Sequence, residues 1–240
     1  MRKRENGPLL GVLGGMGPEA TQLFYARLIR RTKAARDQEH IPVLIYGDCA
    51  VPDRTAAILC GDTAAVEARL TADAKTLERA GCTCLAMTCN TAHHFAPAIR
   101  SAVSIPLLHM PDLAVRRAKA AGVGKLALLG TQGAMEAGIY QDICAQEGVE
   151  GWTPDKETQA LLTTLIYDQI KAGQWGDEAL FAKIDAAVRG AGCDGAVLGC
   201  TELSVYRAYH PLRGGYIDAM EVLAEECVLA CGKELTEDTP

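Results

Sequence analysis

Hydrophobic and polar positions fall into two alternating textures along this 240-residue chain. Short apolar runs at Leu9–Leu13, Val43–Tyr46, Leu85–Met87, Leu126–Leu129 and Ala196–Leu198 read as strands. Between them lie stretches whose apolar residues recur near helical spacing: Glu19–Arg36, Thr63–Arg79, Ala134–Gln146, Lys156–Lys171, Glu178–Arg189 and Ala219–Cys231. In the second of these, Ala64, Val66, Leu70, Ala74 and Leu77 supply the apolar face. Strands separated by helices predict βαβ units, and so an α/β fold of parallel sheets covered on both faces. No Pro- or Ser-rich linker divides the chain, so any second domain joins the first closely.

An internal echo sharpens that expectation. Ala80-Gly81-Cys82 precedes Cys89 as Ala191-Gly192-Cys193 precedes Cys200, at an offset of 111 residues. Both copies follow an amphipathic helix, run through an apolar strand and end on a cysteine. The chain reads as two similar α/β halves, each placing a thiol beyond the carboxyl end of a strand, where open α/β sheets bind ligands. The division expected is 1–103 plus 209–240 in one lobe with Cys89, and 104–208 in the other with Cys200.

Composition narrows the function classes. The 24 basic and 30 acidic side chains give a net charge of −6, which argues against nucleic acid as the main partner. The longest charge-free stretch, Ala80–Ile99, is interrupted by Asn90, His93, His94 and Pro97, so no bilayer span is expected. Met1-Arg2-Lys3-Arg4 reads as a basic tail before a strand rather than a signal peptide, which places the protein in the cytoplasm. There its 10 cysteines are expected to remain thiols, and none forms a Cys-x-x-Cys pair. His93 and His94 have no carboxylate cluster in attendance and diverge by about 100° on a helix, so no metal is expected.

The stretch Gly14-Gly15-Met16-Gly17-Pro18 follows the first strand and opens a helix. It fits a structural turn, a dinucleotide fingerprint or, preferred here, a site for a small carboxylate at exposed backbone amides. The acidic residue that a dinucleotide site needs is poorly supplied, since Asp48 lies too far on. Cys89-Asn90-Thr91-Ala92-His93 and Cys200-Thr201-Glu202-Leu203 each set a thiol among hydroxyl or amide groups. Arg54, in Pro52-Asp53-Arg54-Thr55, fits either a fork for a second carboxylate or a surface ion pair with Asp53 or Asp48. Tyr167 and Lys171 share a helix face, as a substrate clamp or as a Tyr packed under a solvated Lys. Thr131 supplies a hydroxyl at a further strand end.

Two opposed thiols suit the inversion of a stereocentre. A proton leaves one face of an α-carbon and another arrives on the opposite face, so two groups can each serve one side. One must be thiolate while the other is thiol, and both must lie within hydrogen-bond reach of the carbon. A disulfide is the competing use of facing thiols.

Taken together, Gly14–Pro18, Pro52–Thr55, Cys89–His93 and Gly199-Cys200-Thr201-Glu202-Leu203 resemble the cofactor-independent aspartate/glutamate racemase family, in its aspartate racemase branch. The motifs keep that family's order over nearly the whole chain. The glutamate racemase branch usually carries Gly-Cys-Thr-His where this chain has Glu202. The resemblance implies two flavodoxin-like domains with a small amino acid bound between them, commonly in a homodimer, and no pyridoxal phosphate. It implies Cys89 and Cys200 as the two bases. Arg54 matches the contact to the distal carboxylate, with Lys171 and Tyr167 facing the same group. Asn90, Thr91, Thr131 and Thr201 match residues around the α-carboxylate and amino group, and Met16 lines the pocket. The expected activity is therefore racemisation of aspartate, or of glutamate or another small amino acid. The alternatives are a dicarboxylate decarboxylase or cis–trans isomerase on the same fold, and a non-catalytic amino-acid or nucleotide-binding module.

Overall fold

The computed structural model describes residues 7–212 and 214–237, so the basic tail at Met1–Arg4 lies outside the described residues. The first part of the chain runs β1 (Leu10–Gly14), α1 (Pro18–Arg31), β2 (Val43–Gly47), α2 (Arg54–Cys60), α3 (Ala64–Arg79), β3 (Cys84–Met87), α4 (Ala96–Ala102) and α5 (Met110–Ala120). The rest runs β4 (Lys125–Leu129), α6 (Gln132–Glu136), α7 (Ile139–Glu147), β5 (Glu150–Trp152), α8 (Lys156–Thr163), α9 (Glu178–Gly190), β6 (Gly195–Leu198), α10 (Thr201–Tyr209), β7 (Tyr216–Asp218) and α11 (Ala219–Ala230).

The strands form two parallel sheets, ordered β2-β1-β3 and β5-β4-β6-β7. Beside β3, Leu107 makes a parallel bridge to Leu85, whose amide donates to Pro106 O at 2.8 Å and whose carbonyl accepts from Leu108 N at 2.9 Å. That segment fills the place that β7 holds in the second sheet. The two halves thus repeat one strand order, with β3 and β6 in equivalent positions, as the echoed motifs predict.

Strand β1 shows why both faces are covered. Leu10 and Val12 point into a core shared with Phe24 and Leu28 of α1 and Met110 and Val115 of α5. Leu13 points the other way, onto Leu70 and Leu77 of α3 and Ile99 of α4. Each such fully buried leucine contributes about 1.5–3 kcal/mol. Gly11 sits where a Cβ would meet the Leu85 side chain at 2.8 Å and Cys82 Sγ at 2.9 Å, so a side chain there would wedge β1 from its neighbours. Among the described residues no helix is long and apolar enough to cross a membrane.

Several expected elements end differently. The helix expected over Glu19–Arg36 stops at Arg31, because Lys33 N donates to Glu234 O at 2.9 Å and Thr32 bridges Leu235. The helix expected over Ala134–Gln146 is two helices, broken at Gly138 with φ +67. The segment 209–240, expected with the first lobe, divides: β7 pairs with β6 in the second sheet, while the buried face of α11 joins the core of α1 and α5. That junction carries a buried ion network. Arg27 of α1 reaches Asp218 of β7 at 2.8 Å and Glu221 of α11 at 3.1 Å, and Asp218 accepts from Ser204 Oγ of α10 at 2.7 Å.

Candidate active site

Cys89 lies two residues beyond β3 and Cys200 two residues beyond β6. In this strand order the crevice outside the carboxyl ends of the central strands is the natural ligand site. The loops after β1 and β4 reach the same place. One narrow cleft is lined by Met16, Arg54, Cys89, Asn90, Thr91, Thr131, Tyr167, Lys171, Cys200 and Thr201, together with Asp53, Thr55 and Glu202. All ten residues expected at the site are therefore gathered in it. A larger depression of about 300 Å³ lies elsewhere, among Phe181, Tyr206, Tyr209 and Tyr216, and no cysteine lines it.

The turn after β1 is held by Thr21, whose hydroxyl accepts from Gly15 N at 2.9 Å, donates to Gly17 O at 2.9 Å and meets Thr88 Oγ1 at 3.0 Å. Gly15 has φ +86, and a Cβ there would meet the Asp48 backbone at 2.5 Å, so only glycine suits the position. Asp48, the acid considered for a nucleotide, is bound to Arg69. Arg54 is therefore not paired with Asp48, and Asp53 spends one oxygen capping α2, accepting from Ala56 N at 2.7 Å.

On the Cys89 side, Arg54 opens α2 and is 9% exposed. Its Nη1 donates to Pro52 O at 3.1 Å and Nη2 to Met16 O at 3.5 Å, while Nε, also buried, has no hydrogen-bond partner among the described residues. Burial works against its charge, but the Cys89 sulfur, Asp53 and Glu202 outweigh that and hold the guanidinium more firmly protonated than usual. Asn90 accepts from Tyr140 OH at 2.5 Å, and its buried Nδ2 likewise lacks a partner. Thr91 and Thr131, one from each half, meet at 2.9 Å.

His93 does not line the cleft; it buttresses it from behind. Its Nε2 accepts from Met110 N at 3.1 Å, so the proton sits on Nδ1, which donates to Cys89 O at 2.8 Å. His94 is exposed. Burial, aided by neighbouring His109, lowers His93 from the ordinary 6.5 to about 3. Between those values the unfolded chain binds a proton that the folded protein refuses. Stability from this group is full above the unfolded value and falls with pH by about 1.4 kcal/mol per unit. His93→Gln is expected to remove that slope, measured as urea stability at pH 7, 6 and 5; equal slopes in both proteins would contradict it.

On the Cys200 side, the thiol opens α10 and donates to Glu202 Oε2 at 2.8 Å. Glu202 Oε1 accepts from Lys171 Nζ at 2.7 Å. Burial and the Glu202 charge push the Cys200 thiol well up, against the pull of Lys171. Lys171 is itself raised; burial opposes its charge, but Glu202 and Cys200 prevail. The expected helix over Lys156–Lys171 changes character here: after α8, residues Thr164–Ile170 form a π-helical turn, with Lys171 N donating to Ile166 O at 2.9 Å. Such turns recur at functional sites. This one sets the Lys171 ammonium 5.5 Å from the Tyr167 ring centroid, with both on the cleft. Burial raises the Tyr167 hydroxyl to about 12.

Glu202 is the functional candidate that motif reading passed over. Its position was visible as a departure from Gly-Cys-Thr-His, but Lys171 is 31 residues away, so nothing local marks the pair. Asp53 and Thr55 were visible only as neighbours of Arg54.

Several known proteins are similar to this chain. The aspartate racemase of Picrophilus torridus superposes with a TM-score of 0.82 at 29% identity, covering 96% of this chain and 97% of that one. The broad specificity amino-acid racemase RacX of Bacillus subtilis is 29% identical over 157 residues, 64% of this chain and 67% of that protein. A glutamate racemase from Francisella tularensis shares the fold at a TM-score of 0.64 and 15% identity, over 98% of this chain and 86% of that one. Residues 13–227 match the pattern of the Asp/Glu/Hydantoin racemase family. With two parallel sheets closing on one cleft, and the pattern spanning nearly all of it, this chain belongs to the Asp/Glu/hydantoin racemase family.

Proposed function

We propose that this racemase interconverts L- and D-aspartate by a two-thiol mechanism that uses no pyridoxal phosphate. The observation that carries the reading is that Cys89 and Cys200, from equivalent strand ends of the two halves, line one narrow cleft with Arg54 and Lys171. Their surroundings are opposite: the Arg54 cation faces Cys89, and the Glu202 carboxylate faces Cys200. That asymmetry suits a pair in which one sulfur starts as base and the other as acid. Proton removal breaks the Cα–H bond and leaves an electron pair that spreads into the α-carboxylate, where preorganised donors lower the barrier. Asn90, Thr91, Thr131 and Thr201 are placed to supply them, and the unpartnered Asn90 Nδ2 favours that role. Arg54, with its unpartnered Nε, and Lys171 and Tyr167 take the distal carboxylate, while Met16 packs on the side of the ligand.

The likeness to the Picrophilus enzyme supports aspartate over glutamate. Each sheet brings one thiol to the cleft, which suits two lobes with the ligand between them. The working thiols must stay reduced, which suits a cytoplasmic location. A homodimer suits the edge strand β2, where Leu44, Ile45 and Tyr46 are exposed. Circular dichroism of L-aspartate tests the reading, with glutamate, further amino acids and maleate as a panel. The expected result is decay of the aspartate signal to zero with maleate untouched. Consumption of maleate, or an unchanged signal with every amino acid, would contradict it.

A further inference from the structure

We propose that Glu202 is the proton acceptor for Cys200, and that a dicarboxylate arriving at Lys171 triggers the transfer. The inference rests on the aspartate racemase reading. It starts from a chain of three groups on the cleft: Lys171 Nζ donates to Glu202 Oε1 at 2.7 Å, and Cys200 Sγ donates to Glu202 Oε2 at 2.8 Å. Cys200 is 5% exposed and Glu202 5%, so bulk water is a poor proton acceptor there. Thr201 Oγ1, 3.3 Å from Glu202 Oε2, donates to the carboxylate as well, and Lys171 is already protonated. Glu202 is left as the neighbour of Cys200 able to take its proton.

The charges facing Glu202 make it a switch. It faces Lys171 and, farther off, Arg54 as cations, with Asp53, Cys89 and Tyr167 on the same walls. The Lys171 ammonium donates to one oxygen of Glu202, and the Cys200 thiol donates to the other. A substrate whose distal carboxylate draws on Lys171 adds a second negative charge beside Glu202 and weakens its ion pair. Both changes favour the neutral carboxylic acid. The S–H bond of Cys200 then breaks and an O–H bond forms on Glu202, giving thiolate and carboxylic acid with no change in the net charge of the cleft. The thiolate next takes the α-proton: an S–H bond forms, the Cα–H bond breaks, and its electron pair moves toward the α-carboxylate. The carbanion then takes the Cys89 thiol proton on its other face, and once product leaves, the proton on Glu202 passes through water to the Cys89 thiolate, which resets the site. Resting Cys200 stays a thiol, shielded from alkylation and oxidation, until a dicarboxylate is bound.

Two measurements test this, with succinate as the unreactive dicarboxylate. In Cys89→Ser, succinate is expected to raise thiolate absorbance near 240 nm, and in Cys89→Ser/Glu202→Gln to leave it flat. In the otherwise native protein, Glu202→Gln frees Lys171, so succinate is expected to bind several-fold more tightly while kcat for aspartate falls at least about 100-fold. General damage to the site would weaken binding and turnover together. Succinate binding measured by calorimetry with no rise in absorbance overturns the proposal, as does a Glu202→Gln variant of native kcat. In both cases decay of the aspartate signal in the wild type leaves the racemase reading standing. Absence of succinate binding overturns the proposal too, and if no amino acid is turned over, the racemase reading falls with it.

Discussion

Cys89→Ser and Cys200→Ser are each expected to lower the interconversion of L- and D-aspartate by about 10²–10⁴-fold, the usual worth of a positioned acid or base. The two variants are not expected to behave alike. Each keeps the thiol that addresses one face of the α-carbon, so loss of the α-proton should persist from one enantiomer only, and from opposite enantiomers in the two variants. The double variant should be little worse in racemisation than either single one, because groups that act as a unit give non-additive losses. Initial rates by circular dichroism, with proton magnetic resonance of the α-position, check all three statements. A Cys→Ser variant with native rates would leave that thiol without a role. Both sulfurs are nearly buried, at 6% and 5% exposure, and each stands beside a charged neighbour, so the serines change the chemistry with little change in packing.

The second large effect is on stability. Asp218→Ala is expected to destabilise the fold by about 3–5 kcal/mol, because it leaves the buried Arg27 guanidinium with Glu221 at 3.1 Å but without its 2.8 Å partner, and removes the cap of α11. The Arg27 and Asp218 side chains are 5% and 3% exposed and 2.8 Å apart. Burial alone would push the Asp218 carboxyl up; the Arg27 charge and the Ser204 hydroxyl reverse this and hold it below the usual carboxylate range. The same carboxylate caps α11, accepting from Met220 N at 3.1 Å and Glu221 N at 3.3 Å. Through Ser204 it anchors α10, which begins next to Cys200. Asp218→Asn keeps the cap but loses the charge, and should fall between Ala and wild type. Urea unfolding checks the order. A loss below about 1 kcal/mol for Asp218→Ala would mean that water already reaches Arg27.

These effects arise at joints that local sequence reveals unevenly. The strands β1, β3, β4 and β6 are legible because each is a continuous buried run, the signature of a parallel sheet covered on both sides. The short edge strands β5 and β7 are not: in β5, Glu150 and Gly151 are exposed, Trp152 is half-buried, and the three carry no period. Arg31-Thr32-Lys33 holds no stop signal, and α1 ends there because residues 234–236 pair with it. In the cleft, residues close to a strand end were legible, since glycine, cysteine and threonine cluster there. Glu202 was not, because its roles come from Lys171 and from Cys200 geometry, and the π-helical turn that presents Lys171 shifts hydrogen bonds without a residue type to announce it.

The most direct test of two sulfurs on opposite faces is racemisation in heavy water, starting from each enantiomer separately and stopped early. A proton lifted by one thiol and replaced by the other puts deuterium into the product while the recovered starting enantiomer keeps its protium. That is the result expected from both directions. Deuterium entering recovered substrate and product at equal rates, from either enantiomer, would indicate one base reaching both faces and would contradict the account.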